Sequence, residues 1–322
     1  MEIDTLEGVQ LGGITQWIRV RGADASNPVL LLMQQGPGLP LINDRRRFER
    51  DLGLEAGFTV VYWDQRGTGL SAPSLRRNSN RFDISVAAMV DDTIALLRVL
   101  RDRFGGKTFI AGFSFGATFA AWAAARRPDL VAALVAAGMD IDVRAAEDHA
   151  YAFALDVARQ RGNRGAVRQL EAIGPPPHTD VRRFRVRARW LADFGGITTH
   201  ENYRGLLRAQ LGSLVRSPDY STVDVIRTVR GISASRAALL PELATTDLVR
   251  TMPRVDVPIV MAQGRLDRVA PGDAAQRFYD SLTAPSKQLV WFECSAHTPH
   301  HEEPAKFRDL LMSVRASHLA HR

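Results

Sequence analysis

The chain has 322 residues, 45% of them apolar, which is enough for a sizeable core in one large domain with an insertion or in two ordinary domains. Its formal charge of +7 comes from arginines scattered among acids, which reads as a solvated surface and argues against a nucleic-acid partner; no stretch approaches the ~18 apolar residues of a membrane span, and the start lacks a secretory pattern. One cysteine, Cys294, excludes an internal disulfide framework and a multi-cysteine metal site, so a soluble, cytoplasmic protein with no membrane partner is expected, with Cys294 as a small buried residue in a strand.

Taken in chain order, short apolar or β-branched runs alternate with amphipathic segments. Ile14 to Val20 and Val29 to Met33 are predicted strands, Asp44 to Glu55 a helix, and Phe58 to Trp63 a strand. A helix around Ser85 to Phe104, the strand Lys107 to Ala111, a helix from Ser114 to Arg126 and the strand Val131 to Ala137 follow. This alternation predicts an α/β fold with helices on both faces of a mostly parallel sheet. From about Asp140 to Arg250 the texture changes to alanine- and arginine-rich helical spacing, broken at Gly174-Pro175-Pro176-Pro177, which predicts an inserted helical region. The strand Val257 to Ala262, the helix Gly272 to Leu282, the strand Gln288 to Phe292 and a helix from Pro304 to about Ser317 then restore the alternation.

Between a predicted strand and a predicted helix lies Gly112-Phe113-Ser114-Phe115-Gly116, a G-x-S-x-G pattern in the context that pattern needs. A serine at so sharp a turn adopts a strained backbone, and the positions two before and two after approach neighbouring backbone too closely for a side chain. Its hydroxyl then stands at the carboxyl edge of the sheet with a helix amino terminus behind it. Such a hydroxyl needs a base, and the base needs an orienting acid, in the chain order serine, acid, histidine. Asp267 follows the strand ending at Ala262 and His297 follows the strand ending at Phe292, so both fall at the same edge. Asp140, just past the strand Val131 to Ala137, is the rival acid, and His300 and His301 are the rival bases. Glu302, Glu303 and Pro304 read as the acidic start of the last helix rather than as parts of a metal site, because the spacing is not H-E-x-x-H. The oxyanion donors are expected to be the backbone N–H of Phe115 and one from Gln34-Gln35-Gly36-Pro37-Gly38, with Gly36 preferred and Gln35 second.

The loop Gln34-Gln35-Gly36-Pro37-Gly38, the segment Asp64-Gln65-Arg66-Gly67-Thr68-Gly69-Leu70-Ser71, the turn around Ser114 and Gly264-Arg265-Leu266-Asp267 together resemble the α/β-hydrolase superfamily, in particular its proline iminopeptidase-like branch. The resemblance implies an α/β-hydrolase fold with a sheet of the eight-stranded type, a core of residues 1–139 and 251–322, and a helical cap of residues 140–250. It also implies that the Asp64 to Ser71 segment shapes the floor of the site, with Asp64 and Arg66 as a structural ion pair. Three departures stand out: Gln34 and Gln35 replace part of the family's H-G-G-P-G, Phe115 replaces a tryptophan, and the cap has no W-x-x-W-E segment to supply acids for a substrate's amino terminus.

The expected activity is that of a serine hydrolase working through an acyl-enzyme on a small amide or ester, proline iminopeptidase-like, with Ser114, Asp267 and His297 as catalytic residues and without metal or cofactor. Gln35, Phe113, Trp190 and Phe194 are the candidates for the substrate pocket. The arginine-rich run Arg182 to Arg189 is either the wet side of a helix or a pocket wall suited to an anionic or aromatic substrate, as in a carboxylesterase, lactonase or thioesterase of the same fold. A small-molecule-binding protein without catalysis is the reading from another class. The partner expected is a small molecule or short peptide, and the oligomeric state is left open, a homo-oligomer included.

Overall fold

A computed structural model describes residues 1–73 and 83–320. The chain opens with β1 (Ile3–Leu11), β2 (Ile14–Gly22), β3 (Val29–Met33), α1 (Arg45–Leu52), β4 (Thr59–Asp64), α2 (Val86–Phe104), β5 (Thr108–Phe113), α3 (Phe115–Arg126) and β6 (Val131–Ala137). Six helices follow: α4 (Val143–Gln160), α5 (Arg164–Ile173), α6 (Val181–Asp193), α7 (Tyr203–Arg216), α8 (Thr222–Leu243) and α9 (Leu248–Thr251). The chain then returns through β7 (Ile259–Gly264), α10 (Gly272–Ser281), β8 (Lys287–Phe292), α11 (Pro299–Glu302) and α12 (Pro304–Ala320).

The eight strands form one sheet in the order β1-β2-β4-β3-β5-β6-β7-β8. β2 runs antiparallel to β1 and β4, and the pairs from β4 through β8 are parallel. β3 reads Val-Leu-Leu-Leu-Met with every residue buried, because both sheet faces are covered. Leu31 and Met33 pack with Val90 and Leu97 of α2 and Ala120 of α3, whereas Leu30 and Leu32 pack with Phe48 of α1 and Phe307 of α12. That alternation places helices on both faces and leaves the carboxyl ends of the strands free to carry loops.

The element ends have local causes. The helix expected over Asp44 to Glu55 stops at Leu52, where Gly53 takes a left-handed conformation and its N–H donates to the carbonyls of Phe48 and Glu49. β1 was not anticipated, because its apolar residues Ile3, Leu6 and Val9 recur every third position instead of alternating, and it lies on the sheet edge with most residues half-buried or exposed. Cys294 is not a buried strand residue: β8 ends at Phe292 and Cys294 lies exposed in the turn beyond it. Among the described residues no helix is long and apolar enough to cross a membrane.

Candidate active site

β5 delivers Ser114 into a turn that the sequence dictates. Ser114 has φ 53° and ψ −129°, and among the described residues it is the one non-glycine with positive φ. A Cβ at Gly112 would lie 2.5 Å from Ala117 Cα, and one at Gly116 would lie 2.3 Å from the Gln34 carbonyl oxygen. A side chain at Gly112 would push α3 off β5 and one at Gly116 would push it off the end of β3, so the two glycines are what let the turn be this tight. The Ser114 N–H donates to the Ala137 carbonyl (2.9 Å), which ties the turn to β6.

The loops after β7 and β8 bring an acid and a base together. Asp267 Oδ1 accepts from the N–H groups of Val269 (2.7 Å) and Ala270 (2.9 Å), which fixes the carboxylate and leaves Oδ2 to accept from His297 Nδ1 at 2.9 Å. Of the two candidate acids, Asp267 is therefore the one bonded to the histidine. His297 is buried, which by itself disfavours its charged form. The carboxylates of Asp267, Asp140 and Glu302 outweigh that effect and raise its pKa above the usual imidazole value.

Asp140 takes a different position: its Oδ2 accepts the Ser114 hydroxyl at 2.7 Å, and its carbonyl accepts from Thr118 Oγ1 at 2.8 Å. Burial raises this carboxyl to about 6, against the favourable effects of His297 and the Ser114 hydroxyl. In the resting structure the Ser114 hydroxyl thus points to an acid and not to His297. His300 and His301 are set apart from these acids. His300 stacks on Phe48 and Phe113, and burial holds it well below the usual imidazole range; burial brings His301 down to about 3. Both are neutral packing groups.

Ser114, His297 and Asp140 line a cavity of about 1290 Å³, together with Gln34, Gln35, Gly36, Phe113 and Phe115. Phe115 opens α3, so its N–H has no acceptor within the helix and is free for a ligand. Gln34 donates from Nε2 to Gln65 Oε1 at 2.8 Å. α4, α6, α7 and α8 form the opposite wall.

Several expected roles fall elsewhere. Trp190 and Phe194 stack on each other (5.6 Å between centroids) and pack with Ala154 and Leu170, inside the helical insert and away from the cavity lining. Helical spacing gives an aromatic a face but does not say which neighbour covers it. Asp64 and Arg66 are not paired with each other. Asp64 accepts from the N–H groups of Leu41 (2.9 Å), Ile42 (3.0 Å) and Leu70 (2.8 Å) and from the Tyr220 hydroxyl, while Arg66 Nη2 donates to Asp92 Oδ1 at 2.8 Å. The arginine-rich run divides: Arg182, Arg183 and Arg185 are exposed, Arg185 also lining the cavity, and Arg187 is buried against Glu147 (2.5 Å).

The last helix does open at Pro304, with the Glu303 carbonyl accepting from Phe307 N (3.1 Å), but the carboxylates of Glu302 and Glu303 turn back onto the histidine loop. Glu302 accepts from Ala296 N (3.0 Å), Thr298 N (3.3 Å) and Thr298 Oγ1 (3.1 Å), and also from Thr199 N (2.7 Å) and Oγ1 (2.8 Å) in the insert. Glu303 accepts from Cys294 N (3.1 Å) and Ser295 Oγ (2.6 Å). The signal available in the sequence was the crowding of two acids within six residues of His297.

A sharp serine turn after β5, and an acid–histidine pair on the loops after β7 and β8, define the class as a hydrolase built on a mostly parallel α/β sheet. The chain belongs to the α/β hydrolase fold family, whose profile matches residues 28–304. It is similar to the probable aminopeptidase YbaC of Bacillus subtilis (strain 168), at 29% identity over 98% of each chain. Among solved structures it resembles VinJ (21% identity, TM-score 0.66, 97% of this chain and 98% of that one). It likewise resembles the proline iminopeptidase of Mycobacterium smegmatis (19% identity, TM-score 0.65, 99% of this chain and 100% of that one).

Proposed function

We propose that the protein is a serine hydrolase of aminopeptidase type, which cleaves small aminoacyl amides and esters through an acyl-enzyme formed on Ser114. The observation that carries this reading is the buried His297–Asp267 contact at 2.9 Å, facing the same cavity as the strained Ser114. Asp267 holds His297 in the tautomer with a free Nε2 and stabilises the imidazolium that forms when Ser114 gives up its proton. The N–H groups of Phe115 and Gly36 receive the oxyanion, and the protonated His297 then donates to the leaving group.

Asp140 supplies the amine acceptor that the sequence lacks in its cap. Ser114 Oγ attacks a carbonyl carbon from about 3–3.5 Å, and an α-ammonium lies only two bonds from that carbon. A carboxylate 2.7 Å from the same Oγ is therefore within reach of the ammonium. Glu147, the neighbouring acid, is neutralised by Arg187. When the ammonium takes Asp140, the Ser114 hydroxyl is released to turn to His297, so a free amino terminus both binds and activates. The relation to a probable aminopeptidase supports this choice over a plain esterase.

The test is a comparison of an alanyl arylamide with an acetyl ester, in the wild type, Ser114→Ala and Asp140→Asn. Ser114→Ala is expected to lose turnover of both, on the order of 10⁶-fold, together with labelling by a fluorophosphonate. Asp140→Asn is expected to lose about 10²-fold in kcat/KM on the arylamide and much less on the ester. Equal losses on both substrates would remove the amine role, and absence of labelling on folded wild type would remove the hydrolase reading.

A further inference from the structure

Each buried arginine of the described residues has a carboxylate partner, and one half-buried arginine at the cavity, Arg236, has none. Arg45 is paired with Asp219 (2.8 Å), Arg66 with Asp92 (2.5 Å) and Arg187 with Glu147 (2.5 Å). Arg236 on α8 has no carboxylate within ion-pair distance among the described residues, and its Nε is shut off from solvent without a hydrogen-bond partner. Its guanidinium lies over the ring of Phe184 (5.4 Å to the centroid) and lines the same cavity as Ser114. Arg185, one residue past Phe184 on α6, lines that cavity too, as does Tyr203 at the start of α7. Among the described residues the cavity wall carries eight arginines against four carboxylates.

A guanidinium withdrawn from water without a counter-charge is costly, and a second cation beside it adds to the cost. Desolvation holds Arg236 below the usual arginine range, Tyr203 opposing it and Arg185 adding to it. The arrangement is relieved by an anion entering from the cavity, because the guanidinium fork matches the two oxygens of a carboxylate or phosphate and the Tyr203 hydroxyl adds a neutral donor. The place is set relative to the chemistry: a Cβ on Gly38 would lie 2.7 Å from Ser235 Cβ, so α8 presses on the loop that carries Gly36, one residue before Arg236.

We infer that Arg236, Arg185 and Tyr203 form an anion subsite at the cavity wall, which selects substrates carrying a carboxylate or phosphate group remote from the bond cleaved at Ser114. The selection of substrate rests on the hydrolase reading given above, whereas the binding of the anion does not. A purely structural role, in which Arg236 only packs α8 against Phe184, predicts no dependence of selectivity on this side chain.

Two substrates of equal chain length separate these cases: 4-nitrophenyl hexanoate and the 4-nitrophenyl monoester of adipic acid, which adds a terminal carboxylate. The ratio of their kcat/KM values, anionic over neutral, is expected to fall at least tenfold in Arg236→Gln, less in Arg185→Gln, and not at all in Arg182→Gln, an α6 arginine outside the cavity lining. An unchanged ratio in both Arg236→Gln and Arg185→Gln overturns the inference. Calorimetric titration of Ser114→Ala with adipate and with inorganic phosphate reads the subsite without turnover. Binding of either anion that disappears in Ser114→Ala/Arg236→Gln upholds it even where neither ester is cleaved, in which case it is the hydrolase reading that falls. The tighter of the two anions identifies carboxylate or phosphate as the group recognised, and binding of neither overturns the subsite. Should Arg236→Gln fail to fold, Arg185→Gln decides through the ratio and through the titration in the Ser114→Ala background.

Discussion

Three histidines within five residues illustrate how little residue type says until its surroundings are known. His297 meets Asp267 and is raised, while His300 and His301 meet aromatic rings and each other and are lowered by burial. Only the first can take up a proton near neutral pH and hold it against a carboxylate. A base must be neutral to act, so kcat/KM for an acyl ester is expected to fall below a midpoint above the ordinary 6.5 of imidazole, and Asp267→Asn should move that midpoint downwards while cutting kcat on the order of 10⁴-fold. For an aminoacyl substrate a second loss is added. As pH falls through about 6 Asp140 takes up a proton and no longer pairs with the ammonium, so KM rises on that substrate alone. The two profiles measured side by side check both points; profiles of the same shape for both substrates would dismiss the Asp140 part, and a midpoint at or below 6.5 would dismiss the His297 part.

At the scale of elements, strands buried on both faces were the most legible, because β3, β5 and β6 are continuous apolar runs whose ends coincide with turn residues. The turn around Ser114 was legible for a steric reason that reduces to two missing side chains. The loop after β8 was not, since Glu302 looks like any acid near a helix start until the donors that reach it from Ala296, Thr298 and the distant Thr199 are counted. This carboxylate fastens the histidine loop to the insert, and the N–H of His297 itself donates to the Ile197 carbonyl at 3.0 Å. Removing the charge weakens several charge-assisted hydrogen bonds, each worth about 1.5–3 kcal/mol. Glu302→Gln is therefore expected to lower kcat by at least about tenfold through misplacement of His297, with fluorophosphonate labelling of Ser114 slowed in proportion. Normal labelling in a variant whose melting temperature has dropped would show the clamp to be for stability alone.

For the whole molecule, the change of texture near Asp140 announced a helical insert but not how it sits on the sheet, because the contacts that seat it join residues far apart in sequence. Asp219, between α7 and α8, accepts from Arg45 Nε (2.8 Å) and Arg19 Nη1 (3.2 Å), and the next residue, Tyr220, donates its hydroxyl to the buried Asp64. Composition and periodicity carry no information on such pairs, since each partner alone reads as an ordinary polar residue of a loop, strand or helix end. The energetics nevertheless make Asp219 a principal tie: all three side chains are largely withdrawn from water, with 7% of Asp219, 8% of Arg45 and 15% of Arg19 exposed. Removing Asp219 leaves Arg45 with Glu49 (3.0 Å) and Arg19 with Asp4, so the cost is that of the lost charge-assisted hydrogen bonds, about 1.5–3 kcal/mol, and not that of an uncompensated buried charge. Asp219→Ala is accordingly expected to lower the unfolding free energy by that amount in urea titrations. Because Arg45 and Arg19 belong to the sheet side and Asp219 to the insert, hydrogen exchange should quicken first in α7 and α8, with the amides of β3, β5 and β6 keeping their protection. A uniform loss of protection, or none, would mean that the insert is held by its apolar contacts alone and that this ion pair is incidental to its placement.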